Sequence, residues 1–78
     1  MSSLTKETQI VYTVLYYYHD FHKGYIFDGE SGDFNDEDAA IIDAQEYIEK
    51  QFDNYGRFAY GKIEKRVVPI YRWLICLI

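Results

Sequence analysis

Residues 9–21 form a run in which both alternating sets of side chains are largely apolar or aromatic. β-branched and aromatic residues favour extended backbone, and successive side chains of a strand point to opposite faces of its sheet. We therefore expect a central β-strand, with a helix against one face and either tyrosine rings or a partner against the other. The two sets are Ile10, Tyr12, Val14, Tyr16 and Tyr18, and Val11, Thr13, Leu15, Tyr17 and His19.

The region after this strand predicts a hairpin and then a helix. Lys23 and Gly24 are typical of a turn, so residues 25–27 should return as a second strand. Residues 28–35 are rich in glycine and polar residues and predict a loop, in which Phe34 would anchor the chain to the core. A helix over 36–53 follows, because apolar residues recur at steps of three and four. That stripe is Ala40, Ile41, Ala44, Tyr47, Ile48 and Phe52.

The ends of this helix carry their own signals. Asn35 or Asp36 is suited to cap the first turn, and Gly56 can adopt the left-handed conformation that ends a helix. Beyond it, residues 57–64 predict a third strand, Lys65 and Arg66 a tight turn, and residues 67–78 a fourth strand. Pro69 cannot donate to a ladder and places its strand at an edge or a bulge. A truncation of this last strand should be harmful.

These elements predict a single α+β domain over residues 1–78. The expected fold is a four-stranded antiparallel sheet with one helix packed on one face, in ββαββ order, which is the simplest way to bury the apolar stripes. A chain of 78 residues buries only about 60% of its unfolded surface. The nine tyrosines therefore have two open interpretations, as cover for a thin sheet or as a contact surface.

Charge is concentrated in one block, residues 28–53, which contains ten acids and the base Lys50. The residues before this block are neutral overall and those after it are basic, so the net charge of −5 originates in the block. Such a block repels nucleic acid and attracts a basic protein surface. The ten acids are Asp28, Glu30, Asp33, Asp36, Glu37, Asp38, Asp43, Glu46, Glu49 and Asp53.

Helical spacing places some residues of this block on the helix face opposite Ala44 and Ile48. A solvated helix face usually carries charge, so this face has an ordinary interpretation. The functional interpretation is a patch that meets lysine or arginine on another protein, with one isoleucine as an apolar anchor. Almost no lysine balances the row, and unbalanced acids at this spacing cost stability. The row consists of Asp38, Ile42, Glu46, Glu49 and Asp53.

The sequence predicts no enzyme, no cofactor and no metal site. The acidic loop lacks a glycine at the sixth and a glutamate at the twelfth position of a calcium loop, counted from Asp28 or from Asp33. His19 and His22 lack the further ligands of a zinc site. No phosphate-binding or nucleophile motif is present. Basic and aromatic residues in the last third leave a single-strand nucleic-acid platform open as an alternative, although the net charge opposes it. Those residues are Arg57, Lys62, Lys65, Arg66 and Arg72 with Phe58, Tyr60, Tyr71 and Trp73.

Cysteine usage and hydropathy bear on the compartment. Cys76 is the one cysteine, and a secreted domain of this size would usually need several disulfides. The first seven residues are polar and unlike a signal peptide, and the apolar runs 11–18 and 73–78 are too short to cross a bilayer. We expect a cytoplasmic protein of the host cytosol.

The predicted order, the length, the acidity and the helix segment 36–48 resemble small phage-encoded anti-CRISPR inhibitors, several of which place an acidic helix over a small antiparallel sheet. The resemblance implies a phage protein that blocks a CRISPR effector complex or its DNA binding, with DNA mimicry as one mechanism. Carried onto this chain, it implies effector contacts by the acids of the helix row and the loop. These are Asp33, Asp36, Glu37, Asp38, Glu46, Glu49 and Asp53.

The leading functional hypothesis is an acidic inhibitor or adaptor that binds a basic surface of a partner protein through the helix and its preceding loop. Tyrosines would supply amphipathic contacts beside the acids, namely Tyr17, Tyr18, Tyr25 and Tyr55. Two alternatives stay open. One is a self-associating module, such as a homodimer, formed through an exposed strand edge. The other is a binder of RNA or single strands that uses the basic C-terminal strands.

Overall fold

The computed structural model describes the backbone of residues 4–73 and the side chains of residues 8–69. Its elements are β1 (Leu4–Asp20), β2 (Gly24–Glu30), α1 (Glu37–Tyr55) and β3 (Ala59–Trp73). The three strands form one antiparallel sheet in the order β2-β1-β3. The α+β class and the central position of β1 agree with the prediction.

The predicted four-stranded sheet is wrong. The chain does not turn at Lys65 and Arg66, which pair with Tyr12 and Val11 inside one continuous β3. Residues 62–68 contain no glycine, asparagine or aspartate to adopt the positive φ of a tight hairpin turn. Instead, β3 follows β1 to its start, where Trp73 pairs with Leu4. The last part of the predicted fourth strand, residues 74–78 with Cys76, lies outside the described residues.

The hairpin between β1 and β2 is confirmed. Asp20 closes the turn, because its Oδ1 accepts hydrogen bonds from the backbone N–H groups of His22 at 2.8 Å and Lys23 at 3.0 Å. The His22 and Lys23 amides lower the pKa of the Asp20 carboxyl. Gly24 follows with φ 80°, which a glycine adopts without steric cost.

Helix α1 begins and ends close to the predicted residues. The N-cap is Asp36, whose side chain accepts from the backbone N–H of Asp38. The C-cap is Gly56, with φ 64° and its N–H bonded to carbonyls of the last turn. Both signals are local, which is why the sequence predicts them well.

The buried core is small and lies between α1 and the paired strands β1 and β3. Ala40 and Ala44 of the helix pack on Val14, with Tyr12, Tyr16, Phe34 and Ile63 around them. Small residues let the helix approach the sheet closely at this point. Phe34 anchors the loop as predicted, because its backbone exchanges two hydrogen bonds of 2.8 Å with Tyr12. The prediction that Ile41, Ile48 and Phe52 belong to a buried stripe is wrong, since all three side chains are exposed.

The molecule is long rather than compact. Its radius of gyration is 17.8 Å and its largest extent is 60 Å, whereas a compact domain of this length has a radius of gyration of about 12 Å. The cause is the ribbon in which residues 4–10 of β1 pair with residues 67–73 of β3. A two-stranded ribbon by itself is marginally stable in water.

Candidate functional site

The acidic row occupies the outer face of α1. Ala40, Ala44 and Gln51 are the buried residues of the helix, so helical periodicity turns the opposite side away from the sheet. All five members of the predicted row are exposed, and the Ile42 side chain is 55% exposed among the acids. From Asp38 to Asp53 the row extends about 22 Å along the helix axis, at about 1.5 Å per residue. The predicted face is confirmed as a surface, and its role in binding stays a prediction.

The acids of the row are not neutralised by ion pairs. Among the side chains that the structure describes, 8–69, the one salt bridge joins Arg66 and Glu64 at 2.7 Å, and neither belongs to residues 28–53. The last turn of α1 contains no base, so Asp53 stands where the partial negative charge of the helix dipole is concentrated. The helix row therefore keeps its negative charge.

Two other acids of the block hold the helix onto the sheet. The Tyr16 hydroxyl donates to the Asp43 carboxylate, and the Tyr47 hydroxyl donates to Asp28 at 3.0 Å. Burial and the hydrogen bond to Asp43 raise the pKa of Tyr16 to about 12. Burial and the neighbouring Asp28 raise the pKa of Tyr47 as well. A β-bulge leaves Asp28 as an extra residue, since Tyr16 pairs with Gly29 and Tyr17 with Phe27.

The loop acids have more local roles than the sequence predicts. Asp33 accepts a hydrogen bond of 2.8 Å from the hydroxyl of the buried Thr13, and Asp36 caps the helix. Hydrogen bonding to Glu64 raises the pKa of Arg66, and the charges of Glu30 and Asp33 act in the same direction. Arg66 pairs with Val11, and Asp33 is bonded to Thr13 on the same face of β1, so Arg66 offsets part of the negative charge at the loop end of the block. Glu37 is exposed beside the helix row.

The predicted tyrosine contacts do not gather in one place. Tyr18 and Tyr55 lie against the Arg57 guanidinium, which is 3.8 Å and 4.5 Å from the two ring centroids. Arg57 also donates to Gln51 at 2.7 Å. These contacts lie at the C-terminal end of α1. Tyr17 and Tyr25 belong instead to the opposite face of the sheet, so the four tyrosines cannot form one contact surface with the helix row.

The face of the sheet away from α1 carries an aromatic cluster, which we define as Tyr17, His19, Phe21, Tyr25, Phe27 and Tyr60. Tyr17 stacks on Tyr60 with centroids 4.8 Å apart, and Tyr25 meets the Tyr60 ring edge-on at 4.9 Å. Phe21 is 94% exposed. The sequence predicts tyrosine rings on a free sheet face, but the pairing register that assembles this cluster comes from tertiary structure.

The candidate site is a surface, because no pocket is found in the described part of the chain. The His, Cys, Asp and Glu side chains that the structure describes form no group of three able to hold a metal. Within residues 4–73, no helix has the length and apolar character required to cross a membrane.

Comparison with protein-family models, with curated proteins and with solved structures found no match to this chain. The resemblance to phage inhibitors therefore stays a prediction that depends on size, acidity and the helix segment 36–48. The candidate site is defined by its own geometry, an exposed acidic row with one isoleucine on the outer face of α1.

Proposed function

We propose that this protein is a small acidic binding protein that docks the outer face of α1 onto a basic surface of another protein. The observation that carries the proposal is the unpaired row on α1. A helix row with adjacent acids, balanced in α1 only by Lys50, loses stability through self-repulsion. A basic partner would relieve that repulsion when it binds.

The row is suited to steer a partner as well as to contact it. Clustered like charges raise the association rate with an oppositely charged surface, and salt weakens the effect. Ile42 supplies an apolar anchor near the centre of the row, where contact with a partner would exclude water. The helix is already folded, so it presents these groups without a cost for ordering its backbone on binding, which favours affinity.

Inhibition is the form of this function that we favour. A basic groove that normally holds nucleic acid would accept the row in place of phosphates. A CRISPR effector complex is the partner class implied by the resemblance, and the site of action would then be the cytosol of the host. The protein would act by occupancy, blocking DNA binding.

The experiment compares two variants with the same change in charge. Glu49→Lys reverses one acid of the row, and Glu30→Lys reverses an acid at the end of β2, outside the row. Purified CRISPR effectors of several types are incubated with each protein, and DNA binding is measured. We expect wild type and Glu30→Lys to block DNA binding by one effector, and Glu49→Lys to lose at least about tenfold in potency. Equal potency of the two variants would exclude the row, and no block with any effector would exclude the effector class.

The nucleic-acid alternative has one supporting observation, the aromatic cluster on the free face, on which bases could stack. Of the basic residues predicted to accompany it, Lys62 and Arg66 lie on this face, because they pair with Leu15 and Val11, whereas Lys65 pairs with Tyr12 on the helix side. Arg57 lies between Tyr18 and Tyr55 on the helix side, and Arg66 is paired with Glu64. A gel-shift titration of a mixed-sequence RNA at low salt with wild type and with Tyr60→Ala tests this alternative. The alternative requires that wild type retards the RNA and that Tyr60→Ala retards it less.

A further inference from the structure

Strand β3 has one edge without a neighbouring strand in the part of the chain that the structure describes, since the sheet order is β2-β1-β3. An open edge presents backbone donors and acceptors to any strand of matching pattern. The residues that face this edge can be identified. Tyr12 and Val14 direct their backbone groups toward Phe34 and Ser31, on the side away from β3. In an antiparallel ladder this direction alternates, so Val11, Thr13 and Leu15 bond to β3.

The pairing register then shows which residues of β3 use their backbone groups to bond to β1. Arg66, Glu64 and Lys62 pair with Val11, Thr13 and Leu15, so their backbone groups are used within the chain. The intervening residues point their N–H and C=O groups out of the sheet. These residues are Ala59, Gly61, Ile63, Lys65, Val67 and Pro69. Pro69, which has no N–H, limits the usable edge to residues 59–67.

We propose that this edge pairs with the same edge of a second copy, in an antiparallel two-fold dimer centred on Ile63. Charge selects this register. With Ile63 opposite Ile63 of the other copy, Lys62 lies opposite Glu64 and Tyr60 opposite Arg66, twice each by symmetry. A shift by two residues in either direction places Lys62 opposite Lys62 or Glu64 opposite Glu64, which is repulsive. The charge pattern of the strand therefore favours this register over a shift of two residues in either direction.

The exposed flank of α1 fits the same dimer. Asp43 and Tyr47 lie toward β1 and β2 through their hydrogen bonds to Tyr16 and Asp28, so helical periodicity turns the other flank toward the open edge of β3. That flank carries the exposed apolar residues Ile41, Ile48 and Phe52.

Spacing supports the contact between these flanks. The helix lies across β1 and β3, with Ala44 over Val14 and Gly61. Strands in a sheet are about 4.8 Å apart. A two-fold axis beside β3 therefore brings the two helices to within about 10 Å of each other, the distance at which helices pack. The dimer would cover side chains that the small core of one chain leaves in water, and the acidic row would stay exposed, so this inference does not depend on the proposed function.

The test uses charge reversal in trans. In a homodimer, Lys62→Glu places a glutamate opposite Glu64 of the other copy, and Glu64→Lys places a lysine opposite Lys62. Each variant alone should therefore raise the dimer Kd by about tenfold or more. An equal mixture of the two variants pairs opposite charges at both positions and should restore the dimer. Sedimentation measures the fraction of dimer for wild type, for each variant and for the mixture. Circular dichroism shows whether each variant is folded.

A wild type that stays monomeric into the high micromolar range would overturn the proposal. So would variants that dimerise alone as well as they do in the mixture. If a variant fails to fold, hydrogen exchange of wild type decides the question. The proposal requires slow, concentration-dependent exchange at the outward amides of Gly61, Ile63 and Lys65. Fast exchange at those amides, beside slow exchange at Lys62 and Glu64, would show a free edge and refute the dimer.

Discussion

Gly61 of β3 lies directly beneath Ala44 of α1, so close that a β-carbon on Gly61 would stand 2.8 Å from the Ala44 β-carbon and 2.9 Å from a methyl of Val14. Real β-carbons essentially never approach so closely, and the Ala44 backbone is also near, at 3.4 Å. The absent side chain at Gly61 lets the helix rest on the sheet. The position of α1, and with it the direction of the acidic row, depends on this contact.

We predict that Gly61→Ala lowers the free energy of unfolding by about 2 kcal/mol, the usual cost of overpacking a core. Gly32→Ala is the matched control, because its β-carbon would meet nothing within 4 Å and its φ is not positive. Urea unfolding followed by circular dichroism measures both variants. A Gly61→Ala variant as stable as the control would contradict the close packing of helix and sheet.

The contact between Tyr16 and Asp43 predicts a loss of stability at high pH. Folding raises the pKa of Tyr16 from its ordinary value to about 12, so the folded state favours the protonated phenol. That stabilisation is complete below pH ~10, the pKa of an unfolded tyrosine, and disappears as the pH rises through the folded value.

Tyr16→Phe removes this contribution while keeping the ring. At neutral pH we expect the variant to be less stable by about 1–2 kcal/mol, because a hydrogen bond to a charged group is lost. Between pH 10 and 12 the difference in free energy of unfolding between wild type and Tyr16→Phe should become smaller. Urea unfolding across that range checks this, and a difference that does not change with pH would argue against the bond.

Charges at the two ends of α1 should affect stability in opposite directions. Asp36→Ala removes the N-cap that accepts from the Asp38 amide and should cost about 1 kcal/mol. Asp53→Asn removes a negative charge from a last turn that has no base and should stabilise the protein by about 0.5 kcal/mol. Thermal unfolding at low salt measures both, and the gain from Asp53→Asn should fade as salt screens the charges.

Local signals predicted much of this fold, and long-range pairing decided the rest. Asp36, Gly56 and Gly24 mark the ends of α1 and the hairpin turn through their own chemistry, so the sequence alone indicates them. The continuity of β3 is different. The predicted turn at Lys65 and Arg66 lacks the glycine, asparagine or aspartate of a tight hairpin turn, and the pairing of these residues with Tyr12 and Val11 shows that the strand continues.

The candidate site also has a part that local sequence signals predict and a part that depends on long-range contacts. Helical spacing predicted the exposed row on α1, since periodicity is a local property. It could not predict that Asp43 and Asp28 would be used by Tyr16 and Tyr47, or that Arg57 would lie between Tyr18 and Tyr55. Apart from the contact between Arg57 and Tyr55, these contacts join residues far apart in the sequence and have no signal in composition or spacing.

The salt dependence of binding tests the central claim most directly, namely that the row on α1 is the docking surface. The affinity of wild type, Glu49→Lys and Glu30→Lys for a bound basic partner is measured by calorimetry across a range of salt concentrations. We predict that wild type and Glu30→Lys lose affinity steeply as salt rises, and that Glu49→Lys binds more weakly with a shallower slope. Identical affinities and slopes for Glu49→Lys and Glu30→Lys would contradict the account.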